Sequence, residues 1–342
     1  MRLSDKTEWQ AIDFCKFFSA LIVVAIHFPP FEDVNATVSF LIKNVMCRLA
    51  VPFFFLAAGF FLEKKIRDRK QVWNYTCHLV RMYVIYTILY LPKVVRDSWV
   101  SGPGEFVRRF FLKGSYIQLW FFTGLIAAVV FLYVIVNLLK MDDGKLLLLS
   151  GILYGIGVMG NVYRSLLYHI SALRPVLKLY YSYFETTRNG LFFGLPFVAL
   201  GYLLKKHAFD VMKHGYKKWM LVFLGLMAAE TAITVKITGW SDRDMIFTIV
   251  PAATCLFLSV CFMTGKESRG LQAKKARKLS TLIFGLQYLV GFYLEEIYGM
   301  LSEGKWNSLE EYLVVAALTV ACSVAILRLS EYRHFRWMRY LY

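Results

Sequence analysis

Residues 11–28 read AIDFCKFFSALIVVAIHF, an apolar run that is interrupted by Asp13, Lys16 and His27. Ionisable side chains inside such a run are costly unless they are paired or have a function. At about 100° per residue, the eleven steps from Lys16 to His27 return to nearly the same azimuth, and Asp13 shares that face. The run therefore predicts a membrane helix with one polar face, on which His27 lies roughly 16 Å from Lys16. The alternatives are a water-lined helix face or a polar pair with a packing role, but three ionisable groups on one face favour a functional role.

The composition extends this interpretation to the whole chain, because 58% of the 342 residues are hydrophobic and only 18% are charged. Soluble domains are about half apolar and a quarter charged. Apolar stretches of about 20 residues, the length that crosses a bilayer, recur along the chain. We predict an all-α polytopic membrane protein, a bundle of about ten transmembrane helices. The predicted spans are 11–29, 39–62, 72–92, 117–139, 144–160, 188–204, 217–235, 245–264, 279–300 and 309–328.

The net charge of +17 is distributed unevenly between the loops. The N-terminus and every second loop carry more than twice as many Lys and Arg residues as the remaining loops. By the positive-inside rule, this pattern predicts that both termini are cytoplasmic. The expected location is the plasma membrane, with several passes of the chain. Topology and anionic lipid are sufficient to explain the basic character, so nucleic-acid binding is not expected.

Residues 1–342 are predicted to form a single integral-membrane domain, because the longest polar pieces, 93–116 and 161–187, are too short to fold alone. Its parts are a cytoplasmic N-terminus (1–10), a transmembrane bundle (11–328) and an aromatic, basic cytoplasmic tail (329–342). A further soluble domain, if the natural protein has one, would follow this tail. The cysteines have no paired metal-ligand spacing, so no metal site is expected.

A second feature is the segment RLAVPFFFLAAGFF at residues 48–61, in which Arg48 lies inside an apolar span. Pro52 interrupts the helix, and the small residues 57–59 permit a neighbouring helix to approach closely. Arg48 is about ten residues from the outer end of the span, which is a long reach for its side chain to solvent. A buried partner or ligand for Arg48 is therefore favoured over snorkelling.

These segments resemble the integral-membrane acyltransferase family 3. The matching pieces are IDFCK (12–16), VVAIH (23–27), the segment 48–61, QLWFF (118–122), TTRNGLFFGLPF (186–197) and LSTLIFGLQ (279–287). The resemblance covers most of the chain, and the pieces up to residue 61 are fairly specific. The Thr-Arg-Asn-Gly block looks most similar to the membrane domain of the serine racemases linked to vancomycin resistance, which carry a cytoplasmic racemase after that domain.

The resemblance implies a ten-helix bundle that moves an acyl group, usually acetyl, from cytoplasmic acyl-CoA to an acceptor at or across the membrane. His27 would occupy the histidine position of the family, and Lys16 the basic position eleven residues earlier, which is often arginine. Lysine cannot donate the two parallel hydrogen bonds of an arginine guanidinium, so Lys16 would bind its partner differently from the arginine of the family. The family often has histidine where Gln118 and Gln287 stand, and glutamine cannot carry protons.

Acyl transfer to a hydroxyl or an amine needs a base, and histidine is suited to that role near neutral pH. We therefore assign His27 as the catalytic base, with Lys16 and Asp13 setting the electrostatic field along the polar face. Acetyl-CoA, the expected donor, needs cationic contacts for its phosphates. The candidate donor-binding residues are Arg48, Arg81, Lys64 and Lys65, although the positive-inside pattern alone also accounts for the two lysines.

The candidate acceptor-binding residues are Arg188, Trp120, Glu230 and Glu32. Arg188, at the outer start of a span, could bind an acceptor carboxylate or simply anchor the interface. Glu230 is an intramembrane carboxylate and hence a candidate by default, but it could equally neutralise a cation such as Arg48. Glu32, or its neighbour Asp33, could orient the ring of His27.

Three functions remain open at this point. The first is an acyl-CoA-dependent membrane acyltransferase, and the second is a transport module for a small amino acid such as L-serine that feeds a cytoplasmic racemase. The third is a structural anchor for a partner enzyme. The polar face with His27 favours the first, a proton-coupled carrier would also use buried ionisable groups, and an anchor would need none of them.

Overall fold

The computed structural model describes residues 9–207, 215–239, 243–261, 263, 270–301 and 306–342. Residues 1–8 of the predicted N-terminal segment lie outside the described residues, as do parts of four predicted loops and of the span 245–264. The α-helices in the described part are α1 Gln10–His27, α2 Ala36–Leu41, α3 Ala50–Leu62, α4 Arg69–Arg96, α5 Pro103–Leu112, α6 Trp120–Tyr133, α7 Asp143–Asn161, α8 Arg164–His169, α9 Arg174–Phe184, α10 Leu195–Lys206, α11 Tyr216–Thr238, α12 Ile249–Cys261, α13 Gly270–Leu301 and α14 Ser308–Leu329.

Six helical runs in the described residues are long and apolar enough to cross a membrane. They are Gln10–His27, Ala36–Leu62, Pro103–Leu138, Asp143–Asn161, Tyr216–Thr238 and Ser308–Leu329. The prediction of an all-helical protein with membrane-length apolar helices is thereby confirmed at this coarser level. The other predicted spans fall on α4, on the helical residues up to the end of α10, on α12 and on α13.

Two of the prolines follow stretches of irregular helix. A proline has no N–H, so Pro52 cannot donate the α-helical hydrogen bond to the carbonyl of Arg48. The chain accordingly runs through a π-helix, Ile42–Met46, and a 3₁₀ turn, Cys47–Leu49, before α3 becomes regular. Pro196 has the same effect on the segment before it, where Gly190–Gly194 is a π-helix that leads into α10.

The chain forms two compact units. The first comprises Met1–Phe54, Gly215–Val222 and Pro251–Tyr342. In it, α1 packs along α13, and α13 packs against α14. The buried core of these three helices consists of Ala20, Val24, Phe28, Ile283 and Val315.

The second unit comprises Phe55–His214 and Phe223–Val250. Here α6 contacts α4, α10 and the π-helix Gly190–Gly194, and α10 also packs on α7. The last two turns of α3 lie against α10 at glycines. A Cβ atom on Gly59 would lie 1.9 Å from the carbonyl oxygen of Val198, and one on Gly201 would lie 2.0 Å from that of Leu56. The two helices can approach this closely only because both residues are glycine.

Candidate functional site

Helix α1 carries the three ionisable residues of the predicted polar face. It is an uninterrupted α-helix from Gln10 to His27, so the azimuths expected for Asp13, Lys16 and His27 hold along its length. Asp13 is buried, while Lys16 and His27 are half-buried. Asp13 lies 3.9 Å from the guanidinium of Arg277 on α13, and both groups are electrostatic neighbours of Lys16.

The ring of His27 contacts an aromatic ring on α13. Its centroid is 5.1 Å from that of Tyr288, and the two planes meet at 85°, which is an edge-to-face arrangement. Tyr288 also contacts Phe28, at 6.0 Å between centroids. An edge-to-face contact of this kind favours this orientation of the imidazole ring at the end of α1.

Arg48 lies in the 3₁₀ turn Cys47–Leu49, which packs against α1. Its side chain is buried, with 7% of its surface exposed. A guanidinium cannot lose its proton in a protein, so a buried arginine is a fixed positive charge. The irregular helix before Pro52 thus brings a permanent cation to the same unit as the polar face of α1.

The turn after α1 holds Glu32 and Asp33, and the two carboxylates have different surroundings. Asp33 accepts hydrogen bonds from the backbone N–H and the hydroxyl of Ser308, the first residue of α14. The bonds from Ser308 hold the pKa of Asp33 below its usual value. Glu32 is exposed and is an electrostatic neighbour of Glu311 on α14. Asp33 thus ties the turn to α14, and a role of Glu32 at His27 stays a prediction.

In the second unit, Arg188 and Trp120 are in direct contact. The guanidinium carbon of Arg188 lies 4.7 Å from the centre of the Trp120 ring, a cation–π distance. One terminal nitrogen of Arg188 lies 2.6 Å from a carboxylate oxygen of Asp244. The three side chains therefore form a cluster with one cation, one anion and one aromatic face, which we call the Arg188 cluster.

The residues around Arg188 form a hydrogen-bonded start for the π-helix. The side chain of Asn189 accepts from the backbone N–H groups of Leu191 and Phe192, which caps Gly190–Gly194. Its amide nitrogen donates to the hydroxyl of Tyr180 at 2.8 Å. The hydroxyl of Thr187 donates to the carbonyl of Gly157 on α7 at 2.7 Å. The Thr-Thr-Arg-Asn block thus fixes the position from which Arg188 reaches Trp120.

Glu230 lies on α11, and its carboxylate contacts the residues that immediately precede α12. Its carboxylate accepts from the backbone N–H groups of Phe247 and Thr248, both at 2.9 Å, and from the Thr248 hydroxyl at 2.6 Å. These groups immediately precede α12, where helix N–H groups have no intrahelical partner and the dipole favours an anion. The geometry gives Glu230 a structural role, and its acceptor-binding role stays a prediction.

We expect Glu230→Gln to destabilise the protein by about 1–3 kcal/mol, because the charged acceptor of two backbone N–H groups is lost. Thermal unfolding of the purified protein in detergent measures the effect. The matched control is Glu63→Gln, which removes a carboxylate from the turn after α3. Equal stability of the two variants would contradict the capping role of Glu230.

The cationic donor-binding candidates of the second unit lie on α4 and on the turn before it. Lys64 and Lys65 are exposed in the turn that follows α3. Arg81 is exposed on α4, about 18 Å along the helix from its first residue, Arg69, at 1.5 Å per residue. The lysines and Arg81 therefore lie at different levels of the second unit.

Two buried glutamines stand where the family often has histidine. Gln118 is 2% exposed, and neither of its amide atoms has a hydrogen-bond partner among the described residues. Gln287 is fully buried on α13, and its amide nitrogen lies 3.4 Å from the carbonyl of Phe284. Tyr288, the residue after Gln287, is the one that contacts His27.

The predicted site residues are divided between the two units. The first unit contains Asp13, Lys16, His27, Arg48 and Glu32, and the second contains Arg81, Lys64, Lys65, Arg188, Trp120 and Glu230. Sequence reasoning missed Tyr288 and Asp244. Tyr288 directly follows the segment 279–287, and its position next to that matching segment was the available signal. Asp244 lies far from Arg188 in sequence, and no local pattern joins them.

Comparison with known proteins gives a consistent result. A family model described as an acyltransferase domain (Acyl_transf_3) matches residues 9–328. The chain is 25% identical over 330 residues to an amino-acid racemase of Enterococcus faecalis, covering 95% of this chain and 46% of that protein. It is 26% identical over 341 residues to a serine/alanine racemase of Enterococcus gallinarum, covering 95% and 47%. The chain thus spans about half the length of the curated relatives it matches. No solved structure matches it.

Proposed function

Because the chain belongs to the Acyl_transf_3 acyltransferase family, we propose that it transfers an acyl group, acetyl in the first instance, from cytoplasmic acyl-CoA to a hydroxyl or amine acceptor. The family and the membrane-length apolar helices make it a multi-pass membrane protein. The observation that carries the proposal is the polar face of α1, which ends in a half-buried imidazole oriented by Tyr288.

In this proposal His27 is the general base. Its neutral ring nitrogen accepts the proton of the acceptor hydroxyl or amine as the acceptor atom attacks the thioester carbonyl carbon. The carbon–sulfur bond then breaks, and the proton goes from the imidazolium to the thiolate of coenzyme A. Asp13 and Lys16 lie too far along α1 to touch the ring, so they act on it through their charges. Arg48, a permanent cation in the same unit, stabilises negative charge that develops on the carbonyl oxygen.

The donor is bound by cations in this proposal. Coenzyme A carries several phosphate charges, and exposed Lys64 and Lys65 supply point charges of the kind that bind phosphate. Further along α4, the guanidinium of Arg81 can bind another phosphate through two hydrogen bonds. The acceptor is bound by the Arg188 cluster, in which the guanidinium attracts an anionic group and Trp120 offers an apolar face. In the first unit, Glu32 is the candidate residue for acceptor binding.

The proposed setting is the plasma membrane, with ten spans and both termini in the cytoplasm. Ten spans require α4, α12, α13 and the helical run that ends in α10 to cross in addition to the six apolar runs. The excess of Lys and Arg on alternate loops supports the orientation. The curated relatives are about twice as long as this chain and are named racemases, which supports a racemase domain or partner on the cytoplasmic side.

A second candidate function is transport of a small amino acid such as L-serine to a racemase. The name of the Enterococcus gallinarum relative, a serine/alanine racemase, favours it. The Arg188 cluster also fits, because an α-amino acid carries a carboxylate and an ammonium, and Arg188 and Asp244 present the two complementary charges. A carrier of this kind would use His27 for proton coupling and not for acyl transfer.

We expect the purified full chain to bind acetyl-CoA and to hydrolyse it slowly when no acceptor is present, since water then replaces the acceptor. Equilibrium binding of labelled acetyl-CoA and release of free thiol measure the two steps. The same preparation, reconstituted into vesicles, is tested for uptake of labelled L-serine.

Binding of acetyl-CoA with thiol release, and no uptake above that of empty vesicles, supports the acyltransferase. Uptake of serine without any binding of acetyl-CoA would overturn it in favour of the carrier. A Lys64→Gln/Lys65→Gln variant serves as a comparison: weaker acetyl-CoA binding at an unchanged maximal rate is expected if these lysines hold phosphate, because uniform binding is lost.

A further inference from the structure

The last segment of the chain contains a repeat with a period of three. Residues 333–341 read RHF-RWM-RYL, so each triplet has arginine first, a ring-bearing residue second and an apolar residue third. A period of three does not fit an α-helix at 3.6 residues per turn or a strand at two. It fits a 3₁₀-helix, in which residues three apart eclipse one another.

The segment Arg333–Leu341 is a 3₁₀-helix. The triplet repeat therefore becomes three stripes that run along it. The arginine stripe is Arg333, Arg336 and Arg339; the ring stripe is His334, Trp337 and Tyr340; the apolar stripe is Phe335, Met338 and Leu341. Runs of 3₁₀-helix longer than four residues are uncommon, and here the match of sequence period to helical period favours nine.

The three stripes differ in burial towards the end of the helix. All three residues of the arginine stripe are exposed. In the ring stripe, Trp337 and Tyr340 keep about half of their surface exposed, at 50% and 47%. In the apolar stripe, Phe335 is 41% exposed, Met338 is half-buried and Leu341 is 2% exposed. The helix thus meets the first unit at the end of its apolar stripe and presents a cationic and an aromatic stripe outward.

Specific contacts join this helix and Tyr342 to α13 and to the end of α14. Nε of Arg339 donates to the carbonyl of Ser330 at 3.0 Å, and the hydroxyls of Ser330 and Tyr342 are 2.7 Å apart. The ammonium of Lys278 on α13 lies 5.0 Å from the centre of the Tyr342 ring. A cleft of about 470 Å³ opens here, lined by Lys278, Leu327, Ser330, Glu331, Arg339 and Tyr342.

We propose that this 3₁₀-helix and its cleft bind the phosphate of anionic phospholipids in the leaflet where α14 ends. The helix begins four residues after α14, a candidate membrane span, so it lies at the level of the headgroups. Exposed Trp and Tyr are enriched at that level, and each Lys or Arg near an anionic surface is attracted to it. Lys278 and Arg339 line the cleft and can donate hydrogen bonds to a phosphate. Glu331 and the hydroxyls of Ser330 and Tyr342 suit the polar part of a headgroup.

The proposal does not depend on acyl transfer, and the test uses the purified full chain. Native mass spectrometry of the protein in micelles, titrated with phosphatidylglycerol or phosphatidylcholine, measures the bound lipid. We expect preferential retention of phosphatidylglycerol. Replacing the three stripe arginines by glutamine should weaken it by about fivefold for each arginine, on the order of a hundredfold in total. The control Lys217→Gln/Lys218→Gln removes exposed cations of the same unit that lie outside the 3₁₀-helix and its cleft, and it should weaken retention far less than the arginine variant.

A second variant separates the effect of the arginine positions from the effect of net charge. One alanine inserted between Arg336 and Trp337 keeps every charge but rotates Arg339 by about 120° from the stripe. We expect this insertion to lose most of the preference. Leu341 and Tyr342 rotate together with Arg339, so thermal unfolding in phosphatidylcholine is measured beside it and reports the separate loss of their contacts. Unchanged retention in the insertion or the glutamine variant would overturn the proposal. So would inorganic phosphate that displaces the lipid completely at millimolar concentration, since the site would then take free phosphate.

Discussion

Replacing His27 by alanine is expected to lower the rate of acyl transfer from acetyl-CoA by about 10²–10⁴-fold, the range that a positioned general base contributes. The imidazole lies at the end of the polar face of α1, in edge-to-face contact with Tyr288. Alanine removes both imidazole nitrogens, one of which accepts the proton in this proposal. Thiol release under saturating acetyl-CoA measures the effect.

Two further variants distinguish proton transfer from a structural role of the ring. His27→Gln keeps hydrogen-bonding atoms but cannot carry a proton, so it should lose as much rate as alanine. Tyr288→Phe keeps the ring contact and loses only the hydroxyl, so it should retain most of the rate. Full activity of His27→Gln, with acetyl-CoA binding intact, would contradict the role of His27 as general base.

Replacing Gly59 by valine is expected to give the largest loss of stability, about 3 kcal/mol or more. A Cβ at this position would lie 1.9 Å from the carbonyl oxygen of Val198. The obstacle is backbone and cannot rotate away, so α3 and α10 must separate and lose their contacts along the interface. Thermal unfolding in a fixed detergent, together with the yield of monodisperse protein, reports this loss.

Gly201 offers an internal check, since a Cβ there would meet the carbonyl oxygen of Leu56 at 2.0 Å on the same pair of helices. We expect the double variant with both glycines replaced to be less destabilised than the two single losses added together, because the helices separate only once. Gly151→Ala is the matched control, as no atom lies within 4 Å of its added Cβ. If Gly59→Val is as stable as this control, the close approach of the helices is wrong.

Much of the fold could be predicted from the sequence, because the length of an apolar segment largely decides whether it enters the membrane. The run 11–29 became α1, and 309–328 became α14, each to within a few residues. The interruption near Pro52 was also predictable, since a missing N–H is a local property. Helix α5, in contrast, lies in a segment expected to be a loop, because its alternation of charged and apolar residues resembles a surface segment.

The candidate site was predictable where it depends on one helix and not where it depends on pairs distant in sequence. Asp13, Lys16 and His27 share a face by periodicity alone. The contact of His27 with Tyr288, and that of Arg188 with Asp244, join residues whose separation leaves no periodic signal. The triplet repeat of the tail was missed for a different reason, since its period of three belongs to a helix type that rarely extends so far.

The bonds between Asp33 and Ser308 have a consequence for bilayers of different thickness. They fasten the first residue of α14 to the turn after α1, while the 3₁₀-helix fastens the region just beyond its last residue. Between the two fastenings lie 22 helical residues, roughly 33 Å at 1.5 Å each, against a hydrocarbon slab of about 30 Å. The length of α14 between these two contacts is therefore fixed. In a thinner membrane α14 must tilt, and because both of its ends are held, the neighbouring helices must tilt with it.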